Sequence, residues 1–160
     1  MYFVKYPTDQ SPMRIFVTRL QNNQWSTPEV TSFSTFNAEN NPFITEDGNE
    51  LYFIANTQNG NKIFSVTKTQ NGWSDPVEVI IPIPSTHTLG WQFSMTRNGD
   101  MYFELWGPNY EPPDMYKSTL QNGQYSQAER MNSNINTEYN EFAPYIDPDE
   151  EYLIFESNRP

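Results

Sequence analysis

Asn41-Pro42-Phe43-Ile44-Thr45-Glu46-Asp47-Gly48-Asn49-Glu50-Leu51-Tyr52-Phe53 reads as two short strands folded about a tight turn. Asp47-Gly48 carries the turn, because glycine adopts a positive φ without the steric cost that a Cβ imposes. Leu51-Tyr52-Phe53 has the aromatic, branched composition of a strand with a buried face.

The same unit recurs along the chain. Tyr2-Phe3, Tyr52-Phe53, Tyr102-Phe103 and Ile154-Phe155 follow one another at intervals of 50, 50 and 52 residues. Ten residues before the last three phenylalanines stands a further aromatic, Phe43, Phe93 or Tyr145. Between each such pair lies a turn signal: Asp47-Gly48, Asn98-Gly99 or Pro148-Asp149. Ile15-Phe16-Val17, Ile63-Phe64-Ser65-Val66 and Met115-Tyr116 align as a third strand. Each precedes a polar Gln-Asn turn (Gln21-Asn22, Gln70-Asn71, Gln121-Asn122) and then an aromatic and a serine: Trp25-Ser26, Trp73-Ser74, Tyr125-Ser126. Alternation has period two throughout, and no segment shows the 3.6-residue period of a helix.

A four-stranded antiparallel unit of about 50 residues has the size of a β-propeller blade. The sequence therefore predicts an all-β chain, residues 1–160 as one propeller domain with about three blades' worth of strands. Its repeat units run approximately 1–35, 36–86, 87–137 and 138–160. The recurring aromatics are expected to fill the space between stacked sheets.

Composition narrows the function. Eleven Phe, ten Tyr and four Trp argue for a packed core and against disorder. A net charge of −11 repels phosphate backbones and anionic membrane surfaces, so nucleic acid is not an expected partner. The apolar stretch from Val77 to Ile83 is broken by Glu78 and Pro82 and is too short to span a bilayer, so no membrane insertion is expected. No charged start followed by an apolar run marks a signal peptide. The absence of cysteine removes disulfides, thiol catalysis and Cys-ligated zinc.

Two stretches resemble the TolB-like (WD-like) propeller repeat. One is the Asn41–Phe53 segment, with its proline, alternating strand, Thr-x-Asp-Gly turn and aromatic strand. The closer match is Ala143-Pro144-Tyr145-Ile146-Asp147-Pro148-Asp149-Glu150-Glu151-Tyr152-Leu153-Ile154-Phe155-Glu156-Ser157-Asn158-Arg159-Pro160. The third unit departs from the pattern, with Trp91-Gln92 where proline is expected. The resemblance implies a propeller, found in transport accessories, cell-envelope proteins and peptidase propeller domains alike, and a periplasmic or extracellular setting.

Candidate chemistry is sparse. His87, the single histidine, lies in Ser85-Thr86-His87-Thr88 with no carboxylate nearby in sequence, and is expected to be a solvent-facing loop residue. Asp147, Asp149, Glu150 and Glu151 form the densest acidic group, but their spacing matches no calcium loop, and they are expected to build a turn. No catalytic residue, metal site or cofactor is assigned. The loop leading into the first strand of a blade reaches the mouth of a propeller's channel, which makes Asn40, Asn41, Trp91, Asn140 and Glu141 the expected binding residues. The expected function is a non-catalytic module that presents a protein, peptide or glycan interaction face. The alternative is the propeller portion of a peptidase or polysaccharide lyase whose catalytic residues lie outside this chain.

Strand counting adds an expectation about assembly. The repeat predicts thirteen strands, two complete units flanked by part-units, and propellers need about 4–8 blades to close. Two chains joined head to tail nearly supply a six-bladed ring, which predicts a homodimer. A piece of a longer single-chain propeller has the same ragged ends.

Overall fold

The computed structural model describes residues 1–6 and 11–160, apart from the side chain of Tyr110. The chain is all-β and falls into two compact units, Met1–Val79 and Ile80–Pro160. Among the described residues no helix is long and apolar enough to cross a membrane.

The first unit begins with β1 (Tyr2–Lys5), β2 (Arg14–Val17), β3 (Leu20–Gln21), β4 (Gln24–Trp25) and β5 (Glu29–Val30). β1, β2 and β5 form an antiparallel sheet in that order, while β3 and β4 make a small hairpin. Asn22 and Asn23, with φ 50 and 61, turn that hairpin, and asparagine tolerates this left-handed backbone better than other residues with a Cβ. The second sheet follows as β6 (Glu39–Ile44), β7 (Glu50–Thr57), β8 (Gly60–Thr69), β9 (Gly72–Trp73) and β10 (Val77–Glu78). Its order is β6-β7-β8-β10, with β9 folded back on the end of β8.

Pleat alternation sends Leu51, Phe53 and Ala55 of β7 to one face, where Phe64, Val66, Ile15 and Phe33 join them in a buried cluster. Aromatic rings do most of the filling. Phe33 lies 5.4 Å from Phe53, Phe36 lies 4.5 Å from Phe64, and Tyr2 meets Trp73 edge-on at 6.0 Å. The Trp73 Nε1–H donates to the Tyr2 hydroxyl at 3.2 Å, so this inter-sheet contact also satisfies the indole.

The second unit repeats the plan. β11 (Thr88–Met95), β12 (Met101–Trp106), β13 (Asp114–Ser118) and β16 (Glu129–Arg130) form a four-stranded antiparallel sheet. β14 (Leu120–Gln121) and β15 (Gln124–Tyr125) make the small hairpin. The Pro-rich connection after Trp106 forms a 3-10 turn over Pro108–Tyr110, with Asn109 at φ 57. A last antiparallel pair, β17 (Glu141–Ile146) and β18 (Leu153–Ser157), packs against β11 and β12.

The recurring serine has a specific task. Ser26 N–H donates to Arg19 O, and Ser26 Oγ accepts from Arg19 N–H at 3.1 Å. Ser74 does the same with Thr67 and Ser126 with Thr119. Each serine thus closes its small hairpin with one backbone and one side-chain bond.

The ten-residue spacing before each phenylalanine conceals a difference in register. Phe43 faces Tyr52 and Tyr145 faces Ile154, but Phe93 faces Phe103, and Ser94 faces Tyr102. In the third unit Thr96 N–H closes on Asp100 O, four residues ahead, whereas Thr45 and Asp147 close on residues five ahead. The turn is one residue shorter and the bulge in β11 one residue longer. Since one residue of slip exchanges the faces of a strand, Phe93 is fully buried while Tyr145 is half exposed.

Candidate functional site

The expected binding residues sit at the leading ends of β6, β11 and β17, where each strand carries a bulge before its regular pairing resumes. In the first unit Asn41 lies in the bulge of β6, and Asn40, paired with Ile54, immediately precedes it. Asn41 takes φ 51, and the Asn40 Oδ1 accepts its N–H at 2.9 Å. Both are half-buried. The residue just before them, Glu39, is fully buried. Its carboxylate accepts from Phe36 N–H at 2.8 Å and from the Ser34 hydroxyl, and it faces Arg14 at 3.5 Å.

Glu141, another of the expected binding residues, holds the matching position in the second unit and is likewise fully buried. Thr137 N–H and Oγ1 donate to its carboxylate at 3.0 and 2.7 Å, Ser157 Oγ at 2.9 Å, and Arg159 lies at 3.3 Å. Burial pushes the Glu141 carboxyl up, but these bonds and the Arg159 charge outweigh it and hold it below the ordinary range. Glu141 is therefore the tie that fixes the loop before β17 to the end of β18. Asn140 is fastened by its backbone, its N–H donating to Asn158 Oδ1 at 2.8 Å.

Trp91 is set by a second buried acid. Glu104 on β12 accepts from Trp91 N–H at 2.9 Å and, through its other oxygen, from Ala143 N–H at 3.0 Å. A single carboxylate thus caps the bulges of β11 and β17. Gly90 is required beside it, because a Cβ there would lie 2.2 Å from the Glu104 Oε1. Burial raises the Glu104 pKa above its ordinary value, the amide bonds oppose that shift, and the Glu156 charge adds to it.

The end of the second unit that carries Trp91 also carries Trp106, placed there by its pairing with Thr88. The contacts of Ala143 with Glu104, Ile146 with Ser94 and Arg97 with Pro148 show that β17 runs alongside β11 in the same sense. Tyr139 and Asn140, which precede β17, therefore lie at this same end. Trp106 is 40% exposed, Tyr139 is exposed, and Trp91 and Asn140 are half-buried. Trp106, Tyr139 and Glu104 were not singled out from sequence. Regular register counted back from the Asn98-Gly99 turn puts Trp106 opposite Gly90, and the bulge in β11, which the sequence does not announce, moves its partner to Thr88.

The remaining candidates have other duties. His87 is partly covered and engages Tyr116 OH through Nε2 at 3.2 Å and Thr86 Oγ1 through Nδ1 at 3.1 Å. In the acidic turn, Asp147 accepts from Asp149 N–H at 2.9 Å. Asp149 pairs in two-pronged fashion with Arg97 at 2.9 and 3.1 Å. Glu150 takes Lys117 and Tyr102 OH, each at 2.6 Å. Among the described residues no group of three or more His, Asp or Glu side chains is arranged to hold a metal ion. No family model matches the chain, and no curated protein matches it.

Proposed function

We propose that the antiparallel sheets are blades of a TolB-like β-propeller and that the chain is a non-catalytic binding module. Its ligand face is the end of the second unit that bears Trp91, Trp106, Tyr139 and Asn140. The ligand class that fits is a neutral glycan. Flat aromatic rings offer apolar faces to sugar rings, and a nearby amide supplies hydrogen bonds. The net charge of −11 disfavours anionic ligands.

The observation that carries this reading is the exposure of Trp106 and Tyr139 beside a backbone held rigid by Glu104 and Glu141. Solvent-facing aromatics on a fixed frame bind with little ordering cost. Titration calorimetry against a panel of neutral oligosaccharides tests it. Trp106→Ala or Tyr139→Ala should weaken binding at least tenfold with an unchanged far-UV circular dichroism spectrum. The reading fails if no oligosaccharide binds, or if both variants bind as tightly as the parent chain.

A further inference from the structure

We propose that the outer face of the β17–β18 hairpin docks on the outer face of the β1–β2–β5 sheet of a second copy of this chain. The inference rests on the repeat reading of the sheets and names a partner for two surfaces which that reading leaves bare.

The first surface is identified by register. Ser94, Tyr102 and Glu104 hold the same places in their sheet as Tyr145, Ile154 and Glu156 hold in the β17–β18 pair. The first three are buried because the hairpin covers them. Ser94 Oγ accepts from Ile146 N–H at 2.7 Å, Tyr102 OH donates to Glu150, and Glu104 caps Ala143. Tyr102 is 6% exposed in consequence, whereas its counterpart Ile154 is 59% exposed, with Tyr145 and Glu156 exposed beside it. The hairpin thus carries the side chains of a covered face without its cover.

The second surface is the converse. Pairing aligns Phe3, Phe16 and Val30 across the β1–β2–β5 sheet, in the places held by Phe53, Phe64 and Glu78 in the next sheet. Phe53 and Phe64 are buried, but Phe3 and Phe16 are only half-covered and Val30 is exposed. Trp25, the counterpart of Trp73, is 56% exposed. What covers Trp73 is Tyr2 of the preceding sheet, and Ile154 holds the register place of Tyr2. Ile154 of one copy therefore meets Trp25 of the second copy in the way Tyr2 meets Trp73.

Charge favours this pairing. The first surface carries exposed Glu151 and Glu156. The second carries Lys5, which sits over the Phe16 ring at 5.7 Å. Opposite signs at the rim set orientation and raise the rate of encounter. The two surfaces differ, so the contact is heterologous and each copy uses both.

Light scattering of the full chain across a range of concentrations tests the proposal. The expected mass is twice the 18.7 kDa of one chain, or a higher multiple. Ile154→Glu and Trp25→Glu alter exposed positions, so each should give a folded 18.7 kDa species. Mixing the two variants should restore a two-chain species, because one contact remains intact between them. A folded monomeric parent at every concentration overturns the docking, as does an oligomer indifferent to both substitutions. Either result leaves the repeat reading standing, since that depends on the burial of Phe53 and Phe103.

Discussion

The Glu104 carboxylate and the Ala143 amide meet at 3.0 Å, joining the β11–β12–β13–β16 sheet to the hairpin that covers it. One acidic side chain thereby holds two strands whose backbones are irregular at the point of contact.

That joint should be visible in the pH dependence of stability. The folded-state pKa of Glu104 is raised above 4.5, so its contribution is full below the ordinary carboxyl value and is lost as pH rises through the folded value. Glu141 has the opposite sign: its contribution is present above the ordinary value and is lost as pH falls through its lowered folded value. Urea midpoints between pH 4 and pH 7 should therefore fall less steeply with rising pH in Glu104→Gln than in the parent. Glu141→Gln should cost stability chiefly at neutral pH, by about 2–4 kcal/mol, because it strips the partner from Arg159.

Phe53 and Phe103 are 0% exposed, and replacing either with alanine should cost about 3–5 kcal/mol in denaturant unfolding. Phe155 occupies the same register place but is half-covered, so Phe155→Ala should cost less than about 2 kcal/mol. Equal costs at all three positions would contradict the arrangement of sheets.

Ala143 has φ 54, a conformation that a Cβ disfavours by about 1–2 kcal/mol. Ala143→Gly should raise stability by about 1 kcal/mol, after the greater freedom of glycine in the unfolded chain is allowed for. Its counterpart Asn41 already uses a residue suited to this backbone, so Asn41→Gly should gain less. Thermal melts of the two variants make the comparison.

Ser74→Ala removes the hydroxyl that accepts from Thr67 N–H and should cost about 0.5–1 kcal/mol. Faster amide exchange at Thr67 than in the parent is the accompanying signature.

Much of the strand pattern was legible because hairpins announce themselves locally. Asp47-Gly48 and Asn98-Gly99 mark turns, and the aromatic dipeptides at Tyr2, Tyr52 and Tyr102 mark the strands that follow. The expected fourth strand was legible only in part. Trp25, Trp73 and Tyr125 fold back in short hairpins, and two-residue strands at β5, β10 and β16 complete the sheets. The site was less legible because burial is decided by partners distant in sequence. Nothing near Glu141 announces that Thr137, Ser157 and Arg159 will converge on it. Nothing near Glu104 reveals that it will span 39 residues to reach Ala143.

The exchange of one turn residue for one bulge residue in the third unit has a consequence for anyone who would build new proteins from this repeat. A consensus averaged column by column would stack Phe43, Phe93 and Tyr145 together, although the second of these points through the opposite side of its sheet. Arrays written from such a consensus would carry an aromatic on the wrong side of every unit that inherited the shorter turn. Turn length therefore has to be chosen first, and the strand residues assigned afterwards in phase with it.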